Sequence, residues 1–317
     1  MTTTALRHLD GIAALTKALN GVLVGKEDAV RKTVVTLIAR GHLLIEDVPG
    51  IGKTLLGLAL ARAIDASFKR IQFTNDLLPA DILGLNVYDQ SERAFNFQKG
   101  PIFSHIILAD EINRSTPKTQ SALLEAMNEH QVSIDGKTFP LERPFMVIAT
   151  ENPVEYHGTF PLPEAQLDRF LMRLQIGYPS AGDEREIIKG GEIADRLAGI
   201  RPVLSRQDIT ELQDSVDKVA VTDEITDYIV RIAGATRISG KMKLGLSPRG
   251  SQALSRAAKA HALYSGRDYC LPDDVKQLAV SVVSHRILVD SAQHGLARVG
   301  ECEALVEDIL RDTYAPK

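Results

Sequence analysis

Two short stretches hold the residues best suited to phosphate chemistry. Residues 46–54 read EDVPGIGKT and residues 106–111 read IILADE. The first is an apolar run entering a glycine-rich turn that ends in Gly52-Lys53-Thr54. Backbone N–H groups of such a turn cradle phosphates, and the helix that follows points its positive end at them. Lys53 would reach the β- and γ-phosphates, and the Thr54 hydroxyl would ligate Mg²⁺. The usual spacing, G-x-x-x-x-G-K-[ST], asks for glycine at position 47, where this chain has Asp47. Gly50 and Gly52 keep the tight end of the turn. The second stretch is an apolar strand ending in two acids. In a parallel sheet, ligands sit at the carboxyl ends of strands. Both acids would then face the phosphates, Asp110 holding Mg²⁺ or its waters and Glu111 orienting the attacking water. In isolation the pair would read as two solvated acids; the glycine-rich turn changes that reading.

Three further residues stand where they could act on a transferred phosphoryl group. Asn152, in ATENP (149–153), follows a buried strand, and its amide could read the γ-phosphate and the water. It could also make a plain loop hydrogen bond, since Asn-Pro is common in turns. Arg169, in QLDRF (166–170), lies just before a strand, and Arg249, in LSPRG (246–250), opens a helix. Lone arginines are mostly surface residues, but this chemistry needs cationic charge, supplied in cis or by a neighbour. The eight histidines show no metal-ligand spacing, and neither HExxH nor CxxC occurs.

These residues need a scaffold, and the pattern supplies one. Residues 28–40 have apolar residues at helical spacing, and Gly41 closes that helix. A strand over 42–45 leads into the turn, and a helix over 54–64 leaves it. Further strands are expected at 71–74, 106–109, 144–150 and 171–176. Residues 84–98 alternate around a polar DQSER turn, and Asp135-Gly136 joins two short apolar runs within 131–139; both are hairpin signals. Thr116-Pro117 starts a helix. Strands alternating with helices before residue 180 indicate an α/β core with a mostly parallel, doubly wound sheet between helices. After Pro179 the segments are helical with Pro or Gly punctuation, so residues 181–317 read as a smaller all-α domain and residues 1–180 as the core.

Composition narrows the function. The chain is 44% hydrophobic and 25% charged, an ordinary globular balance. Its net charge of −4 gives no electrostatic footprint for nucleic acid. Cys270 and Cys302 make no disulfide framework and read as reduced, half-buried thiols of a cytoplasmic protein. The N-terminal stretch carries charges, so it is no secretory signal, and no uncharged apolar run reaches the roughly 18 residues that a membrane span needs.

Taken as a set, these pieces resemble the AAA+ ATPases, and within them the MoxR family. The pieces are VGKEDAVRKTVVTLIARGHLLIEDVPGIGKT, LLPADILG, KGPIF, LADEINRSTPKTQSALLEAMNEHQV, ATENPVEYHGTFPLPEAQLDRF and LSPRG. A VPGxGKT loop without the first glycine is itself similar to that family. The resemblance implies a P-loop AAA+ core and a helical lid. It implies that Asp47, Val48, Pro49, Gly50, Ile51, Gly52, Lys53, Thr54 and Leu55 surround the nucleotide, with Val24 and Gly25 flanking its adenine. Lys53 and Thr54 would be Walker A, Asp110 and Glu111 Walker B, with Thr54 and Asp110 holding Mg²⁺. Asn152 would be sensor 1, Arg249 sensor 2 on the lid, and Arg169 the arginine finger reaching a neighbour's nucleotide; Arg173 and Arg114 remain alternatives for the finger. The hairpins at 84–98 and 131–139 look like the helix-2 and pre-sensor-1 inserts. The implied activity is ATP hydrolysis by a homo-oligomeric, usually hexameric, chaperone-like ring. Its clients often carry von Willebrand factor A domains, and its work often includes metal insertion or complex maturation. A chelatase motor subunit, a nucleic-acid motor and a non-hydrolysing scaffold are the competing readings.

Overall fold

The computed structural model describes residues 3–152, 158–189, 193–289 and 296–316. Helices α1 (Thr3–Asn20) and α2 (Glu27–Ile38) precede strand β1 (Leu43–Glu46) and helix α3 (Lys53–Ala63). Then come β2 (Phe68–Gln72), α4 (Pro79–Leu83), the hairpin β3 (Gly84–Asp89) and β4 (Ala94–Lys99), and β5 (Ile106–Asp110). Helix α5 (Pro117–Glu129), the hairpin β6 (Gln131–Ile134) and β7 (Lys137–Pro140), β8 (Met146–Glu151), α6 (Glu164–Leu167) and β9 (Met172–Leu174) complete the α/β part. The rest is helical: α7 (Ala181–Lys189), α8 (Ile193–Ala198), α9 (Arg206–Asp217), α10 (Asp223–Ile238), α11 (Pro248–Tyr264), α12 (Pro272–Val283) and α13 (Leu296–Asp312). One short antiparallel pairing, β10 (Met242–Leu244) with β11 (Leu288–Val289), lies among those helices and has no alternating signal in the sequence.

The central sheet is parallel throughout, in the order β2-β5-β8-β1-β9. Its inner strands β5, β8 and β1 are apolar on both faces, as strands covered on both sides must be. Leu43, Ile45, Ile106, Leu108, Met146, Ile148, Met172 and Leu174 join the larger core with α1, α2, α3 and the C-terminal helices. Leu44, Ile107, Ala109, Val147 and Ala149 face α5 and a smaller core. The same alternation decides where the polar residues at the strand ends point. Asp110 and Thr150 fall on the α3 face, whereas Glu46, Glu151 and Arg173 fall on the α5 face.

Strand β2 begins three residues before the expected 71–74. It is an edge strand, where exposed Lys69 and Arg70 are tolerated, and Phe68 anchors it beneath Gly57 of α3. Both inserts are hairpins. They pack on each other through a stacked pair, Phe97 on Phe139 with ring centroids 4.3 Å apart, and through an Asn86–Asp135 hydrogen bond of 2.6 Å. The C-terminal helices pack along their apolar stripes, α11 against α10 and α12 and α12 against α13, while α9 and α11 also reach α2. Cys270 and Cys302 are free, and both are buried rather than half-buried. Among the described residues, no helix is long and apolar enough to cross a membrane.

Candidate functional site

Strand β1 delivers the chain to the turn, and α3 leaves it at Lys53. Gly50 (φ +86°) and Gly52 (φ +100°) are both left-handed, a conformation that costs other residues energy. Asp47, standing where a glycine is usual, is 8% exposed. Its carboxylate accepts three backbone N–H groups: Val48 at 2.9 Å, Ile176 at 2.7 Å and Gly177 at 2.6 Å. The turn is thereby tied to the chain leaving β9. The Lys53 ammonium donates to the Asp47 carbonyl oxygen across the turn. Burial pulls the Lys53 pKa down, while Asp47, Asp110 and Glu111 oppose that shift.

Strand β5 ends on the α3 side in Asp110. Its Oδ1 accepts from the Thr150 hydroxyl at 2.6 Å, and its Oδ2 accepts from Arg70 Nε at 2.9 Å. Glu111 follows in a left-handed conformation (φ +57°), with its N–H donating to Thr150 Oγ1 at 2.9 Å. Its Oε2 accepts from Gln72 at 2.9 Å and Arg114 at 3.0 Å. Neither Thr150 nor Gln72 was singled out in the sequence. The strand pairing signals Gln72, since it is the register partner of Asp110.

One cavity of about 390 Å³ brings these groups together. Its wall includes Pro49, Gly50, Gly52, Lys53, Thr54, Leu55, Asp110, Glu111 and Asn152, joined by Arg70, Leu58 and Leu197. Asp47, Val48, Ile51, Val24 and Gly25 do not line it. Gly25 (φ +69°) lies against the Asp183 carboxylate at the start of α7, where a Cβ would sit 2.2 Å from an oxygen. Nothing approaches within 4 Å of the place where a Gly50 Cβ would stand, so the turn is open on that side.

The two arginines stand elsewhere, and they stand together. Arg169 and Arg249 line a separate cavity of about 270 Å³ along with Arg40, Arg256 and Arg286. Arg169 Nη1 donates to the Leu124 carbonyl at 2.7 Å, and its Nε is buried without a partner. Arg249 is in the first turn of α11, behind the N-cap Ser247. Its Nη2 donates to Asn128 Oδ1 at 2.5 Å, and its Nε lies 3.7 Å from Asp168. Arg249 thus does not reach the phosphate cavity of its own chain, as a lid closing over that cavity would require. Of the alternatives for the finger, Arg114 is held by Glu111 and Arg173 is internal, with its side chain 6% exposed.

A second polar cluster, on the α5 face, has no sequence motif. Glu46 and Glu151 end β1 and β8 as register partners. Arg173 Nη1 lies 3.6 Å from Glu46 Oε2, and its Nη2 donates to Ser284 Oγ at 3.1 Å and lies 3.5 Å from Glu303. Burial, reinforced by Glu46, pushes the Glu151 carboxyl up to about 8, and burial raises Glu46 too. Paired acids at strand ends were the available signal; only the parity of the strands tells which side each acid takes.

A parallel sheet with a phosphate turn after its first strand, an acid-ended neighbour and a helical C-terminal part defines a P-loop ATPase fold of the AAA+ class. The family model described as ATPase family associated with various cellular activities (AAA) matches residues 42–172, and that of the AAA lid domain matches residues 234–309. The chain is 47% identical to the uncharacterized protein YeaC of Bacillus subtilis over 94% of its own length and 92% of the relative's. It is 43% identical to the chaperone MoxR1 of Mycobacterium tuberculosis, over 93% and 80% of the two chains. A crystal structure of an ATPase candidate from Cytophaga hutchinsonii superposes with a TM-score of 0.87 at 36% identity, over 99% of this chain and 97% of that one. The chain belongs to the MoxR family of AAA+ ATPases.

Proposed function

We propose that this protein hydrolyses ATP in a ring of identical subunits and uses the cycle to remodel client proteins. The observation that carries the reading is the division of the site. Lys53, Thr54, Asp110, Glu111 and Asn152 share one cavity, and Arg169 and Arg249 share another. Phosphoryl transfer needs cationic charge on the transferred group, and the arginines suited to supply it stand on a different face of the same chain. Head-to-tail packing of subunits would set the arginine face of one against the phosphate cavity of the next, and such heterologous contacts close into rings. Arg169 and Arg249 would then both act on a neighbour's nucleotide.

The phosphate cavity fits ATP with Mg²⁺. The left-handed Gly50 and Gly52 leave open backbone for phosphate oxygens. Thr54 and Asp110 offer the hard oxygen ligands that Mg²⁺ prefers. Bound Mg²⁺ would neutralise charge on the phosphates. Lys53 would exchange the Asp47 carbonyl for phosphate oxygen. Glu111, oriented by Gln72 and Arg114, would accept a proton from the attacking water, and Asn152 would position that water. Residues 1–180 would form the nucleotide-binding core and residues 181–317 the lid. The name of one relative, a chaperone, supports protein clients; partners with von Willebrand factor A domains, metal insertion, a hexameric ring and a cytoplasmic site are the finer expectations of the family.

The test mixes two inactive variants. Arg169→Ala and Lys53→Ala subunits together should regain part of the lost hydrolysis, because one mixed interface joins an intact turn to an intact arginine. If there is no rescue and turnover per subunit does not depend on protein concentration, the shared site is wrong. Glu111→Gln, which should hold ATP without turnover, is the form with which to capture clients.

A further inference from the structure

The cavity around Glu46, Glu151 and Arg173 takes no part in the reading above. It measures about 430 Å³, within the range of small-molecule sites. The carboxyl ends of β1, β8 and β9 form its polar end, and Leu162, Leu167, Ile287 and Val299 give it an apolar wall. Among the described residues, three buried oxygens on its wall lack a hydrogen-bond partner: Glu46 Oε2, which has the Arg173 guanidinium 3.6 Å away but no hydrogen bond, Glu151 Oε1 and Asn113 Oδ1. Glu46 is 7% and Asn113 8% exposed. All three are acceptors, and the donors among the described residues of the wall, Arg173, Arg298 and Ser284 among them, leave them without a hydrogen bond. Buried polar groups of this kind are normally satisfied.

The charges point the same way. Glu46, Glu151 and Glu303 gather around a single guanidinium, that of Arg173, which is itself shared between Glu46 and Glu303. Among the described residues, the other charged or titratable groups on the wall are Arg298 and Glu164, which lie 3.7 Å apart, the buried Cys302 thiol and His285. Burial together with Arg286 and Arg173 keeps His285 neutral. Without a ligand, the missing positive charge is a proton on Glu151. An anion finds little here, because Arg173 is already engaged. Among the described residues, no group of three His, Cys, Asp or Glu side chains is placed to hold a metal ion.

We propose that this cavity is a second ligand site, which takes a small organic cation: an ammonium head on a short apolar stem. The head sits between Glu46 and Glu151 and the stem lies along the apolar wall. Binding releases the Glu151 proton to solvent as the ammonium takes its place, so one cation enters for one proton lost. Asn152 lines both this cavity and the phosphate cavity, and Glu46 immediately precedes Asp47. The occupant is therefore felt at the nucleotide site.

The probe is n-butylammonium chloride, titrated calorimetrically into the full chain. The expected result is one bound cation per chain, with affinity rising about tenfold per pH unit between pH 6 and 7, the slope of one released proton, and levelling off above pH 8. Glu151→Gln, which keeps the shape but cannot ionise, should weaken binding at least tenfold at pH 8 and remove the slope. Equal binding of the neutral n-butanol, retention in Glu151→Gln, or the absence of saturable binding in the parent chain would each overturn the proposal. Displacement by K⁺ alone at the same site would make it a metal site instead and overturn the organic cation. Lys53→Ala should still bind the probe, so failure of the ATPase reading leaves this test intact. Saturating butylammonium should shift ADP affinity at least threefold in the parent; an unchanged affinity would overturn the coupling.

Discussion

Replacing Asp47 tests whether the departure from the glycine pattern is structural. Asp47→Ala removes three hydrogen bonds to a carboxylate, from Val48, Ile176 and Gly177. Each orphaned buried donor costs about 1–3 kcal/mol. The Ile176 N–H is buried and finds no water, whereas those of Val48 and Gly177 are partly reached by solvent, so the total comes to about 3 kcal/mol. Against a whole-domain stability of about 5–15 kcal/mol that is a large fraction. Asp47→Asn should keep its oxygen on Ile176 and Gly177 but set an amide N–H against the Val48 N–H, a loss of about 1 kcal/mol. Asp47→Gly restores the usual glycine, yet should be no better than alanine. It loses the same three bonds and adds about 0.5–1 kcal/mol of backbone entropy. The assay is urea unfolding followed by circular dichroism, compared at unchanged m-value, with affinity for a fluorescent ADP analogue measured in parallel. Nucleotide affinity should fall in the same order, because the turn loses its anchor to the end of β9. An Asp47→Gly chain as stable and as tight-binding as the parent would refute the anchoring argument.

Four other outcomes follow from the same geometry. Lys53→Ala should abolish nucleotide binding, while Glu111→Gln binds ATP and turns over at least about 100-fold more slowly; nucleotide-binding and phosphate-release assays separate the two. Arg169→Ala should cost roughly 10³-fold in turnover with little change in ADP affinity, measured at a concentration where oligomers persist. Arg70→Ala frees the Asp110 oxygen that its guanidinium holds and should lower the half-saturating Mg²⁺ concentration by up to about fivefold. A half-exposed pair is worth no more than about 1 kcal/mol, and an unchanged Mg²⁺ curve would show that Arg70 does not compete. In the helical part, burial raises the Asp274 pKa, but hydrogen bonds from Arg267, His261 and the Leu271 N–H outweigh it and hold the carboxyl at about 2. Its folded pKa is depressed, so its contribution of about 2 kcal/mol is present above pH 4 and lost as pH falls towards 2. Asp274→Asn should remove that acid limb from the unfolding midpoints.

What the sequence made legible was local. The GIGKT turn, the ADE strand end and the two hairpins lie within a few residues of where their patterns place them, because turn chemistry and alternation act over short distances. Two features were not legible, for the same physical reason. Arg249 opens its helix as LSPRG suggests, but which cavity it lines depends on where the start of α11 falls relative to Asn128 of α5, and no local signal encodes that. Asp47 looks like a defect in a glycine pattern until Ile176 and Gly177 come beside it. The buried Glu46, Glu151 and Arg173 cluster is likewise a product of sheet order, since acids at strand ends read as solvated until both faces of the sheet are covered.

The position of β1 in the sheet also sets a timetable. Both of its neighbours, β8 and β9, come late in the chain, and the partners of Asp47 lie 129 and 130 residues downstream. A ribosome adding about 5–20 residues per second would need roughly 6–26 s to make that stretch. Through that interval the emerging chain has its glycine-rich turn but not the strands that hold it. The earlier-made hairpins and α5 can pair locally, whereas the turn must wait for contacts of high sequence separation, the slow kind. A nascent chain of this protein therefore becomes able to grip nucleotide only after its whole α/β part has been synthesised, and a truncated product ending before β9 would be made without that grip.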